Sequence, residues 1–166
     1  QICCAPKRFL IHKDVKAAFT QELVKRVSAL KRGDPADPDS QISCLISEKA
    51  AQEVEWQVSH TIAQGATLLC GGKREGSYYA PTILTDVTPD MDVAKNLEIF
   101  GPVVPIIEIS NLDEALRIAN DSDYGLGASI FTADMKKAVK AAKALQAGGV
   151  VINGSSYFST VEMACG

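Results

Sequence analysis

The chain has 166 residues, 46% hydrophobic and 22% charged, with a net charge of -3; that length suits one domain with a real core, about two thirds of the unfolded surface being buried at this size. Lys and Arg are interleaved with Asp and Glu, which argues against nucleic acid as a partner. No apolar run reaches the ~18 residues of a spanning helix, so no membrane association is expected and the default compartment is the cytoplasm.

Cys3, Cys4, Cys44, Cys70 and Cys165 form an odd set with no CxxC pair and no accompanying His pattern. Free thiols are expected, with neither a disulfide framework nor a metal site.

Residues 9–12 read as a short strand. Just ahead of it, Cys3 and Cys4 lie close to Lys7 and Arg8, whose charge favours a thiolate; an inert packed thiol is the alternative. Asp14 is a plausible N-cap for a helix with Val15, Phe19, Leu23, Val27 and Leu30 on one face. Gly33-Asp34-Pro35 ends it and opens a turn-rich connector. Ser47 can cap a second helix with Ala51, Val54, Val58 and Ile62 inward, stopped by Gly65. Trp56, nearly opposite that stripe, packs under a loop or meets a subunit. His60 is expected on the solvated side.

Residues 66–70 read as a strand and Gly71-Gly72 as its turn. The stretch 77–84, with Pro81 inside it, reads as an edge or hairpin rather than a central strand. Neither GxxxxGK[ST] nor GxGxxG occurs, so no nucleotide-binding half built on such a fingerprint is contained in the chain. Asn96-Leu97-Glu98-Ile99-Phe100-Gly101-Pro102 then leads into an apolar strand over 103–109. A carboxylate at such a junction can accept hydrogen bonds from ligand hydroxyls, and a ring two residues on can cover a flat apolar group; Glu98 and Phe100 are therefore candidate binding residues.

Asn111 with Glu114 forms a capping box ahead of a short helix. Asn120, Asp121 and Asp123 read as a turn, because the ligand spacing of a calcium loop is missing. After a strand over 128–131, Thr132 or Asp134 begins a last helix with Met135, Ala138, Val139, Ala142 and Leu145 inward and its lysines in water. A buried strand over 150–153 ends in Asn153, which either reaches the active-site side or holds a loop. Strands alternating with helices indicate an α/β fold, a mainly parallel sheet flanked by helices, with function at strand ends.

Several of these stretches belong together: Gln1-x-Cys3 followed by Arg8, Gly33-Asp34-Pro35-x-Asp37-Pro38, Pro81-Thr82, Glu98-Ile99-Phe100-Gly101-Pro102, Asn120 with Tyr124-Gly125-Leu126, and Val151-Ile152-Asn153. In this order, over nearly the whole chain, they resemble the NAD(P)-dependent aldehyde dehydrogenase family. Ser43-Cys44 departs from it, standing where members commonly have Gly-Pro. The resemblance implies that residues 1–166 are a single catalytic domain, with the cofactor-binding domain and a C-terminal bridging strand absent from the chain. It implies Cys3 as nucleophile, Glu98 on the ribose hydroxyls of NAD or NADP, Phe100 against the nicotinamide end, and Phe158 at the substrate entrance, where ordinary loop packing is the alternative. A small aldehyde would be oxidised to a carboxylic acid through a cysteine thiohemiacetal and thioester, in a full-length protein expected to be a homo-oligomer. Two other readings stay open: a noncatalytic fragment with a reactive thiol or partner-binding surface, and a dehydrogenase that passes its thioester to coenzyme A.

Overall fold

The computed structural model describes residues 1–157. Strand β1 (Phe9–His12) runs without a linker into helix α1 (Lys13–Ser28). With no loop between them, the cap falls on His12: its Nδ1 accepts the Asp14 N–H at 3.3 Å, and Asp14, the expected cap, lies inside the first turn. The helix stops short of Leu30 and buries no residue fully. Val15, on its expected inward face, is 54% exposed. Ion pairs from Lys16 to Glu108 (3.1 Å) and Asp86 (3.4 Å) tie α1 to the sheet instead.

Ser47 caps α2 (Glu48–Ala63) as expected, its Oγ accepting the Ala50 N–H. The buried stripe is Ala51, Val54, Gln57, Val58 and Thr61. Thr61 takes the place expected of Ile62 because its hydroxyl donates to the Gln57 carbonyl at 2.8 Å, which removes the penalty of burying it.

Strands β2 (Thr67–Cys70), β5 (Thr82–Val87) and β6 (Val103–Ile109) join β1 in a sheet of order β1-β6-β5-β2. The β1/β6 and β6/β5 pairings are parallel and β5/β2 is antiparallel. The stretch expected as an edge divides in two. Its first part, β4 (Tyr78–Tyr79), forms a hairpin with β3 (Arg74–Glu75), whereas β5 is an interior strand with Ile83 and Leu84 fully buried. Pro81 stands one residue ahead of β5 and removes no ladder bond. Pro105 lies within β6, but β1 begins only opposite Ile106, so no β1 residue faces the missing N–H. Gly71 has φ +80°, and a Cβ there would lie 2.1 Å from the Pro81 carbonyl; no other residue fits. Val54 and Val58 of α2 join Met91, Val93 and Ile99 in a core with Leu84 and Ile107 of the sheet.

Asn111 caps α3 (Leu112–Asn120) through the Glu114 N–H, while the Glu114 carboxylate reaches back to the Ser110 N–H at 2.7 Å. Asp134 caps α4 (Met135–Ala144), which buries Ala138 and Ala141. Met135 and Val139, expected inward, are 73% and 44% exposed. Strands β7 (Gly127–Ile130) and β8 (Gly149–Ile152) pair in parallel, apart from the larger sheet, and β8 is half-buried rather than buried. The fold is thus α/β with mainly parallel strands, but the sheet is in two pieces. A cavity of about 1430 Å³ lies between them, lined by Leu10 and Ile11 of β1, Val15 and Phe19 of α1, and Ala128 and Ile130 of β7. Among the described residues no helix is long and apolar enough to cross a membrane.

His60 is engaged rather than simply solvated. Its ring stacks on the half-exposed Trp56 at 5.3 Å and its Nε2 lies 2.7 Å from Asp92 Oδ2, which also accepts from Gln64. The His60 contact is the chief reason that the Asp92 carboxyl is held below its ordinary value of 3.8. A depressed folded value stabilises the fold above pH 3.8 and ceases to do so as pH falls through it. The variant D92N should therefore melt below the wild type at neutral pH, with the gap closing in acid, when followed by circular dichroism across that range.

Candidate active site

The first residues form a tight turn in which the Ala5 N–H donates to the Ile2 carbonyl at 3.2 Å, leaving Cys3 and Cys4 at its corners. Cys3 is exposed, and its Sγ lies 3.7 Å from that of Cys4. Gln1 fastens the turn to the segment ahead of α2, donating to the Cys44 carbonyl at 3.2 Å and accepting the Ile46 N–H at 3.0 Å. Its partners are too remote in sequence for periodicity or spacing to reveal them.

Lys7 and Arg8 fix the other end of this segment. The half-buried Arg8 guanidinium donates to the carbonyls of Ala94 (3.0 Å), Ile118 (3.0 Å) and Ala119 (2.8 Å). The last two belong to the final turn of α3, where exposed carbonyls favour a cation. The Lys7 ammonium donates to the Ile99 carbonyl at 3.2 Å, lies 3.7 Å from Glu98 Oε1 and sits 4.1 Å from the centre of the Phe100 ring. Burial pulls Lys7 below its ordinary value, against the opposing attraction of the Glu98 carboxylate.

The loop bearing Glu98 and Phe100 is set by its backbone. Gln57 of α2 donates to the Glu98 carbonyl at 3.0 Å, and the Ile99 side chain is buried in the core. Gly101 packs so closely on α2 that a Cβ there would lie 2.8 Å from a Val54 methyl. With Ile99 turned inward, its two neighbours turn out: the Glu98 side chain is 24% exposed and Phe100 43%. Cys3, Lys7 and Glu98 line the same cavity. The parallel pairing of β1 with β6 explains this, because residues just ahead of two parallel strands emerge at the same end of the sheet.

Phe158 lies outside the described residues. Asn153, at φ +54°, accepts the Thr132 N–H at 2.8 Å and donates to the Thr132 carbonyl at 3.0 Å, so its amide holds the corner after β7. Asp123 is likewise occupied: its N–H and carboxylate bind the Asn96 side chain at 2.9 and 2.7 Å, knitting that loop to the segment leading into Glu98. Among the described residues no group of three His, Cys, Asp or Glu is placed to hold a metal ion.

The model of the aldehyde dehydrogenase family matches residues 1–166. The chain is 45% identical over all its 166 residues to a lactaldehyde dehydrogenase of Methanococcus aeolicus, spanning 35% of that protein. It superposes on glyceraldehyde-3-phosphate dehydrogenase of Methanocaldococcus jannaschii, complexed with NADP, with a TM-score of 0.93 and 38% identity over 99% of this chain and 36% of that one. Betaine aldehyde dehydrogenase of Staphylococcus aureus in complex with NAD+ gives a TM-score of 0.88 and 34% identity over 93% and 32% respectively. The chain thus spans about a third of the length of the curated relatives it matches.

The contact of Gly101 with Val54 should be measurable. An added methyl at 101 has no room, so G101A is expected to lose about 1–3 kcal/mol of stability. In a double-mutant cycle V54A should cost less in the G101A background than in the wild type, as read by urea denaturation; a G101A protein as stable as the wild type would show that the loop does not bear on α2.

Proposed function

The chain belongs to the aldehyde dehydrogenase family, and from that premise we propose that it is the catalytic domain of a longer NAD(P)-dependent enzyme that oxidises a small aldehyde to a carboxylic acid. The observation that carries this reading is the cavity shared by a nucleophile-type thiol, Cys3, and an outward-facing carboxylate, Glu98. Its span of about a third of its relatives, with the open apolar faces of α1 and α4, supports a larger body packed against it.

Cys3 is the nucleophile. As thiolate, its sulfur adds to the aldehyde carbon without the strong base a hydroxyl would require, giving a thiohemiacetal alkoxide. The Cys3 N–H holds part of that negative charge. Collapse of the alkoxide expels the carbonyl hydrogen as hydride and leaves a Cys3 thioester, which water cleaves to the acid and the free thiol. NAD or NADP, when bound, supplies the hydride acceptor.

The residues around Glu98 fit such a cofactor. An ionised carboxylate accepts only, which suits the two hydroxyls of a ribose, and it is accessible while its backbone is anchored. Phe100 offers an exposed ring for a flat heterocycle. Together they fix the distance between the hydride acceptor and the thiohemiacetal, which is the main requirement for transfer. The resemblance to the family also underlies our proposal that the full-length protein is a homo-oligomer and that Phe158, outside the described residues, serves the substrate entrance.

Replacing Cys3 tests the proposal in the full-length protein. The variant C3S should lose about 10³-fold or more in NAD(P)-linked aldehyde oxidation, since removing a nucleophile removes the covalent route. Its cofactor affinity should remain. Turnover by C3S at the wild-type rate would sink the mechanism.

A further inference from the structure

We infer that Lys7 is a positioning residue: it aims the side chains of Glu98 and Phe100 for the cofactor from the segment that carries Cys3. The inference rests on the proposed role of Glu98 and goes beyond it, because the family motif quoted above includes Arg8 but assigns nothing to Lys7.

Two kinds of contact hold the loop, and they do different work. Gln57, the buried Ile99 side chain and the close fit of Gly101 on Val54 fix the backbone. Among the described residues none of them forms a hydrogen bond or ion pair with the Glu98 carboxylate. Among the described residues, the one cation paired with Glu98 is Lys7, and the same ammonium lies over Phe100. It is itself steadied by the Ile99 carbonyl at 3.2 Å. One charge therefore acts on three successive residues of the loop.

The geometry leaves both ligand-facing groups free. At 3.7 Å the contact with Glu98 is an ion pair rather than a hydrogen bond, so the carboxylate keeps its acceptor sites for hydroxyls. A cation over one face of a ring restrains its tilt and leaves the other face open. Without Lys7, a flexible Glu side chain and an exposed ring would have to be ordered when the cofactor binds, and that ordering weakens affinity.

The experiment uses the full-length protein and reads binding rather than turnover. Affinity for NAD+ and NADP+ is measured by calorimetry without aldehyde, beside the rate at which iodoacetamide alkylates Cys3 without cofactor, and the melting temperature. The variant K7M should bind about fivefold more weakly, as expected for one or two side chains no longer preorganised. Its alkylation rate should fall modestly, because the Lys7 charge favours the Cys3 thiolate, and its melting temperature should stay near wild type; K7R should recover most of the affinity, and K7M/E98Q should bind much less than multiplicatively worse than E98Q. If E98Q weakens binding and K7M does not, the role of Lys7 is overturned while that of Glu98 stands. If E98Q itself binds normally, the underlying assignment of Glu98 falls. A K7M protein that loses affinity together with melting temperature, or a strictly multiplicative double variant, shows Lys7 acting on the fold or by another route and overturns the inference.

Discussion

The parallel register of β1 on β6 is the constraint from which the site follows. Phe9 stands beside Ile106, and because both strands run the same way, the chain enters each of them from one end of the sheet. Parallel neighbours require a long crossover between them, and here it contains α1, α2 and the rest of the larger sheet. That length lets segments distant in sequence, the turn at Cys3 and the loop at Glu98, become neighbours without either giving up its local structure. A one-residue slip would turn Leu10, which packs against the core, to the other face.

Lys7 and Arg8 divide the work of holding that end of the sheet. Arg8 is spent on backbone carbonyls and staples the start of β1 to α3 and to the segment before Glu98. Such a group is structural: it partners the carbonyls of Ala94 and Ala119 and adds a second bond to that of Ile118, which also accepts the Asp121 N–H. Lys7 instead meets two side chains, the Glu98 carboxylate that lines the cavity and the exposed Phe100 ring.

The open faces have a common explanation. A two-stranded parallel ribbon such as β7/β8 has little stability of its own, and parallel strands are normally covered on both sides. Val15 on α1, and Met135 and Val139 on α4, leave apolar surface exposed, which suits a chain that spans about a third of its relatives. The inward stripes read from periodicity on α1 and α4 are real apolar faces. What periodicity does not carry is whether the covering partner belongs to the same stretch of chain.

The sequence by itself determined most of the elements and the family. Ser47 and Asn111 mark helix starts, and Thr132 or Asp134 a third, because capping depends on local spacing; the alternation of strands and helices gives the α/β class, and the ordered motifs around Cys3 and Glu98 give the family. Only the tertiary structure decided that β5 is interior, that His12 rather than Asp14 caps α1, that the Asn153 amide holds a corner at Thr132, and that Gln1, Gln57 and Lys7 support the site. Apart from the His12 cap, which follows from the missing linker between β1 and α1, each of these depends on a partner far away along the chain, and a side chain's polarity or spacing holds no information about which distant backbone or charge folding will place beside it.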